Sequence, residues 1–251
     1  MPAITPRGIE LNLDAVRPMD AIRVARTLLR TNRVTSLATL DPGGYPYSTV
    51  TNLIVEPDGM PVIFMASLTI HARNIEADPR VSITVADTRS DVMTSPRLTL
   101  SGRAVRVPTG DSAALKARYV ERFPKSKLYL SLPDALLYRI HAEAVQLNGG
   151  PAQNANAVTP QDLLTDMAPA SALMAEAPAL VASLNEGDMA NRLAAAAGAS
   201  PGRWRVSTID PEGVNLSTAV DLARLWFTGP VTTRQQFDAA LADIFALRPA
   251  S

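Results

Sequence analysis

The segment SLTIHARNIEADPR, residues 67–80, concentrates the side chains that best fit a binding site. It lies between two predicted strands, and a short helix is predicted over residues 69–77. The start of a helix offers free backbone N–H groups. Together with a hydroxyl from Ser67 or Thr69 and the Arg73 cation, these groups can hold a phosphate or a carboxylate. The structural alternative is that the hydroxyls cap the helix and that Arg73 is solvated.

The chain has two histidines, His71 and His141, and no cysteine. Disulfides, thiolate zinc sites, iron–sulfur clusters and a cysteine nucleophile are therefore excluded. His71 is either a hydrogen-bonded structural residue or a ligand. His141 shares one face of a predicted strand with Leu137, Arg139 and Glu143, because alternate residues of a strand point the same way. This polar face is either solvated or part of an interface or cofactor groove.

The motifs of several enzyme classes are missing. The sequence has neither GxGxxG after a strand nor GxxxxGK[ST], and it has no GxSxG. Two distant histidines do not supply the ligand set of a zinc hydrolase. We therefore nominate no catalytic residue and no metal ligand.

Segments with high strand propensity dominate the first part of the chain. Two of the turns between them, DPGG at residues 41–44 and EPDG at residues 56–59, combine a proline that fixes φ with a glycine that permits positive φ. A glycine in the middle of one long segment indicates a bulge or a barrel corner. The predicted strands cover residues 34–40, 47–55, 61–66, 80–86, 97–107 and 136–147.

The sequence pattern changes near residue 155. Residues 148–159 are rich in Gly, Asn and Ala without periodicity, which is typical of a linker. The remainder predicts helices over 171–184, 186–197 and about 232–247, with short strands over 203–209 and 222–227. We therefore expect an α+β protein with two domains: a mostly antiparallel β domain over residues 1–155 and a small α+β domain over residues 156–251.

Composition restricts the partners. Of 251 residues, 24 are Lys or Arg and 24 are Asp or Glu, so the formal net charge is zero and a strongly basic nucleic-acid binder is disfavoured. No run of 18 apolar residues is present, and the first ten residues lack the apolar core of a signal peptide. We expect a cytoplasmic protein without a nucleic-acid or membrane partner.

Several motifs resemble the FMN-binding split barrel of the pyridoxamine 5′-phosphate oxidase superfamily, in particular its haem-utilisation branch. The most specific is the pattern SLxxHxxNIxxDPRVS at residues 67–82; others are SPRLTLSGRAVRV, YLSLPDALLYRIHAEAVQLNGG, TIDPEGVNL and LWFTGPVTTRQQFDAALADI. The resemblance implies an antiparallel split β-barrel with flanking helices plus a small C-terminal α+β domain. It also implies a homodimer that binds its cofactor at the dimer interface.

The resemblance further implies a set of cofactor-binding positions. Members that bind FMN hold its phosphate with the second strand and with the short helix after the third strand, and Arg97 corresponds to a polar residue near the isoalloxazine ring. Oxidases of the superfamily have an arginine where this chain has Thr49 and a lysine where it has His71, so two fixed charges of the phosphate clamp are missing. The phosphate positions are Thr49, Val50, Thr51, Ser67, His71, Arg73 and Asn74.

Three functions follow from these comparisons of motifs. The first is an FMN-binding flavoprotein, an oxidoreductase of unknown substrate. The second is a haem-binding or haem-degrading protein; such members ligate iron through a histidine, whereas no histidine follows His141 here and the tail carries NEGD at residues 185–188 in place of NEDH. The third is a degenerate, non-enzymatic member that binds another small molecule or none.

Overall fold

The computed structural model describes residues 20–86, 91, 94–149, 154–155 and 158–247. It divides into two compact units, Met1–Leu164 and Thr165–Ser251. Part of the linker predicted over 148–159 lies outside the described residues.

Six antiparallel strands form a closed barrel in the first unit. The strand order is β3-β2-β1-β4-β5-β6, and pairing of β3 with β6 closes the sheet on itself. A two-residue strand, β7 (Asn154–Ala155), extends the sheet beyond β6. The predicted antiparallel barrel is therefore confirmed. Its strands are β1 (Val34–Leu40), β2 (Pro46–Val55), β3 (Pro61–Ala66), β4 (Arg80–Ala86), β5 (Arg97–Arg106) and β6 (Ala135–Asn148).

Alternate side chains of the strands fill the barrel. Helices α1 (Ala21–Thr31) and α2 (Ile70–Ala77) add Leu29 and Ile75 to the same buried cluster. Helix α1 begins where the Asp20 carboxylate accepts a hydrogen bond from the Arg23 backbone N–H at 2.9 Å, a common N-cap arrangement. The strand residues of this core include Leu37, Leu53, Ile63, Ile83, Leu98, Leu100 and Ile140.

The outside of the barrel has two different sides. Helix α3 (Ser112–Arg122) and the short helix α4 (Lys127–Leu130) cover part of it with a second buried cluster, in which Tyr119 packs on residues of β2, β3 and β6. The outward-facing side chains of β1, β4 and β5 belong to no buried cluster of the described residues. This second side of the barrel is the surface that remains for a ligand or a partner.

A β-bulge interrupts the pairing of β5 with β6. The register shifts between Ser101 and Gly102, which leaves Glu143 of β6 without a partner opposite it. Glycine is required here, because a Cβ at residue 102 would lie 2.0 Å from the His141 carbonyl oxygen. Of the two features that the mid-strand glycine indicated, a bulge or a barrel corner, the structure shows the bulge. The bulge shifts by one residue which side chains of β6 face outward.

The second unit packs three helices with a three-stranded antiparallel sheet of order β10-β9-β8. The sequence predicted β8 and β10 but not β9, which begins immediately after the turn at residues 210–213. A five-residue strand directly behind a turn has too few alternating positions to be recognised by its period. The elements are α5 (Ser171–Leu184), α6 (Met189–Ala196), β8 (Arg205–Asp210), β9 (Gly213–Ser217), β10 (Leu222–Trp226) and α7 (Arg234–Leu247).

Among the described residues, the segment Gln161–Leu184 has the length and apolar composition that a membrane span requires. Core helices of soluble proteins pass the same test, so this property alone is weak support for a membrane span. Here Leu173, Leu180 and Leu184 pack in the core of the second unit.

A buried ion pair lies within the small sheet. Arg224 donates from Nη1 to Asp210 Oδ2 and from Nη2 to Asp210 Oδ1, each at 2.8 Å, and both side chains have no exposed surface. Arg224 Nη1 also donates to Asn215 Oδ1 at 2.8 Å, and its guanidinium lies 3.9 Å from the centre of the Trp226 ring. Because both charges are removed from water, each depends on the opposite charge for stabilisation, and loss of one leaves the other buried and unpaired.

We expect Gly102→Ala to destabilise the barrel by about 1–3 kcal/mol, because the new methyl group collides with backbone that cannot move without breaking the β5–β6 pairing. Gly110→Ala is the matched control, since nothing lies within 4 Å of a Cβ at that position. Urea unfolding followed by far-UV circular dichroism measures both variants. Equal stability of the two would contradict the steric account of the bulge.

We expect Asp210→Asn to cost the second unit about 3–5 kcal/mol, because it leaves the Arg224 charge buried and uncompensated. Asp238→Asn is the control: it breaks an exposed pair with Arg234 that is worth a few tenths of a kcal/mol. Tryptophan fluorescence during denaturation reports this unit, because both tryptophans, Trp204 and Trp226, lie in it. A cost below that of the control would show that the buried pair is dispensable.

Candidate functional site

The turn between β3 and α2 is organised by Thr69. Its hydroxyl donates to the Ala66 carbonyl at 2.8 Å and accepts from the Ala72 backbone N–H at 3.4 Å, so Thr69 is the N-cap of α2. The Ser67 backbone N–H donates to the Asp134 carbonyl at 2.9 Å, which ties the turn to the segment before β6. The capping role that the sequence offered as the structural alternative is therefore what Thr69 performs.

His71 is half-buried in the first turn of α2. Its Nε2 lies 3.3 Å from the Thr69 hydroxyl, and burial lowers its pKa below the usual 6.5. The imidazole is consequently neutral near pH 7. His71 stands where related oxidases carry a lysine, so this turn lacks the fixed positive charge that the lysine would supply.

The two other α2 residues of the predicted site differ in exposure. Arg73 is exposed, and its guanidinium is the cation nearest in sequence to the turn. Asn74 is buried, and its Nδ2 donates to Thr39 Oγ1 at 2.9 Å, which fixes α2 against β1. The Asn74 amide is thus used within the fold.

The three β2 residues of the predicted site divide between the two faces of the sheet. Thr49 and Thr51 lie opposite Leu37 and Thr35, which point into the barrel, and the Thr51 hydroxyl donates to the Phe64 carbonyl at 3.4 Å. Val50 faces outward and is 70% exposed.

Arg97 is the first residue of β5 and lies opposite Ala86, the last residue of β4. Helix α2 leads directly into the other end of β4. A strand rises about 3.3 Å per residue, so the length of β4 separates the two ends by about 20 Å. Within one chain, the predicted site residues therefore do not form one group: four lie at or beside α2, Val50 and Arg97 lie on the outer face of the barrel, and Thr49 and Thr51 lie on its inner side.

The outer face of β2, β1, β4 and β5 is lined by small side chains. Residues directly opposite each other in a sheet point to the same side, so the register defines rows across this face. Hydroxyl groups link neighbouring strands: Thr84 and Thr99 at 3.0 Å, Ser82 and Ser101 at 3.4 Å. One row is Val50, Ser36, Thr84, Thr99 and Gln146, and the next is Ser48, Ala38, Ser82, Ser101 and Ala144.

A third row carries charge. Arg80, Arg103 and His141 lie opposite one another on β4, β5 and β6, and all three are exposed. The Arg80 guanidinium makes a bidentate contact with Asp78, with Nε–Oδ1 at 2.9 Å, and holds the pKa of that carboxyl down to about 2. Arg103 and His141 make no hydrogen bond or salt bridge within the part of the chain that the structure describes.

The sequence alone does not place Arg103 and His141 side by side. Their proximity depends on strand register and on the bulge, which are non-local. The one local signal was the mid-strand glycine. Arg139, which the sequence places on the same face of β6 as His141, forms an ion pair with Glu56. It donates from Nε to Glu56 Oε2 at 2.6 Å and from Nη2 to Glu56 Oε1 at 3.1 Å.

Two of the proteins that the chain resembles are haem proteins by name. Over 107 residues the chain is 31% identical to the chloroplast heme oxygenase HOZ of Arabidopsis thaliana; the match covers 43% of this chain and 33% of that relative. The crystal structure of a heme binding protein from Mycobacterium smegmatis superposes with a TM-score of 0.55 at 27% identity, covering 92% of this chain and 98% of that one.

Another solved structure matches almost the whole chain. A protein of unknown function from Agrobacterium tumefaciens superposes with a TM-score of 0.86 at 50% identity, covering 97% of this chain and 99% of that one. The sequence profile described as pyridoxamine 5′-phosphate oxidase matches residues 23–149, which is half of the chain and includes all six strands of the closed barrel. The chain therefore belongs to the pyridoxamine 5′-phosphate oxidase family.

Proposed function

We propose that this protein binds haem and acts in haem utilisation. Two relatives whose names state haem binding or haem oxygenation support the proposal, and one of them aligns with almost the whole chain. The aligned part of the plant relative is a third of its length, so its activity is a hypothesis to test here. Bound haem would supply an iron centre, and the chain would hold and orient it.

Haem is favoured over FMN because the residues predicted to bind the FMN phosphate carry little positive charge. Thr49 is neutral and lies on the inner side of the sheet, and His71 is neutral near pH 7 because burial lowers its pKa. Arg73 alone of the predicted phosphate ligands carries a full positive charge. A flavin phosphate carries nearly two negative charges and is bound best by several charge-assisted hydrogen bonds.

The residues that are present fit haem better. Haem is held by a side chain that ligates its iron, and its two propionates can pair with cations. The outer face of the barrel offers rows of small, mostly half-buried side chains, together with the exposed side chains of His141 and Arg103. We propose that the same face is the interface of a homodimer. The exposure of Val34 and Val50, which leave 47% and 70% of their surfaces in water there, supports this interface.

The second candidate is FMN. It is favoured by Arg73 beside the first turn of α2, where a helix start and a cation together attract an anion. In that case the protein is a flavin oxidoreductase of unknown substrate.

We expect purified protein to bind hemin saturably, at one per protomer, with a sharpened Soret band in an absorbance titration. The same preparation is heated and the supernatant is examined for released flavin. Flavin release without a Soret response would support FMN and contradict the haem proposal. If neither response is seen, the degenerate, non-enzymatic alternative is favoured.

We expect Val50→Glu to convert a dimer into a monomer, because it places charge in an apolar part of the proposed interface. Val220→Glu is the control, since Val220 is 73% exposed in the second unit. Light scattering coupled to size exclusion measures the mass. A wild-type monomer, or a Val50→Glu dimer, would contradict the interface.

A further inference from the structure

We propose that haem lies on the outer face of the barrel with His141 as its iron ligand and Arg103 as the partner of a propionate. This assignment rests on the proposed haem function and adds the location and the residues. No residue after His141 can replace it as a histidine ligand, because the chain has no histidine beyond that position.

The charges of the third row favour these two residues. Directly opposite residues of an antiparallel pair have Cα atoms about 4.5–5.5 Å apart, so the imidazole and the guanidinium are neighbours. Arg80 is already neutralised by Asp78. Arg103, whose charge acts on the same carboxyl only weakly, has no salt bridge among the described residues and is the cation that remains for a carboxylate.

The neighbouring row supplies the surface on which a planar macrocycle can rest. Next to Arg80, Arg103 and His141 along their strands are Ser82, Ser101 and Ala144. These side chains are short, and the two serine hydroxyls bond to each other at 3.4 Å. The bulge permits this arrangement. In a regular strand, residues three apart point to opposite faces, but the extra residue on β6 brings both His141 and Ala144 to the outer face, with Ala144 opposite Ser101.

The other histidine is less suited to iron. His71 Nε2 lies 3.3 Å from the Thr69 hydroxyl and the ring is half-buried in the first turn of α2, so ligation through that nitrogen requires the ring to leave this contact. His141 is exposed on a strand and has no such contact within the described residues.

The test compares hemin with metal-free protoporphyrin IX, which has the propionates but no iron. We expect His141→Ala to weaken hemin binding at least about tenfold, to alter the Soret band, and to leave protoporphyrin affinity unchanged. We expect Arg103→Gln to weaken both ligands by a similar factor, about three- to tenfold. Soret absorbance and porphyrin fluorescence give the two affinities.

Arg106→Gln is the matched control for Arg103→Gln, since Arg106 is also an exposed arginine of β5 but lies outside the row. Because all three substitutions are on the surface, circular dichroism should show unchanged folding. If both His141→Ala and Arg103→Gln bind hemin with the wild-type affinity, this assignment is wrong, but the proposed function still stands. A Soret band that is lost in His71→Ala instead would also overturn it. Failure of the wild-type protein to bind hemin would refute the proposed function itself.

Discussion

Pairing of β3 with β6 is the constraint on which the rest of the barrel unit depends. Once the sheet is closed, every strand residue points either into the barrel or outward, and the hydrophobic core decides which. Helices α3 and α4 cover one side of the outer surface. The outward rows of β1, β4 and β5, with the adjoining residues of β6, remain. Their small side chains, arginines and the histidine of β6 are what favour them as the proposed binding surface.

The bulge at Gly102 sets the arrangement of this surface. If β6 continued to pair regularly beyond Gly102, Glu143, and not Ala144, would lie opposite Ser101. A carboxylate there would repel propionates and would reduce the flatness of the face. A single glycine, required because its missing Cβ leaves room for the His141 carbonyl, thus connects backbone geometry to the chemistry proposed for the site.

Much of the fold was predictable from the sequence, because local patterns carry it. The strands of the barrel alternate clearly, the turns contain Pro and Gly where φ requires them, and Gly102 marked the bulge. The parts that were missed depend on tertiary contacts. The burial of Asn74 against Thr39 follows from how α2 packs on the barrel. Strand β9 was too short to show a period, and the Arg80–Arg103–His141 row exists only once the register is known.

The central claim is that a porphyrin rests on the outer face between β4 and β6. Ferric haem is paramagnetic, so it broadens NMR signals of nearby residues, and a gallium protoporphyrin serves as the diamagnetic reference. The account predicts loss of the amide signals of Ser82, Ser101 and Ala144, with those of α3, which covers the other side of the barrel, retained. Broadening centred on His71 and Arg73, with the Ser101 signal intact, would contradict it.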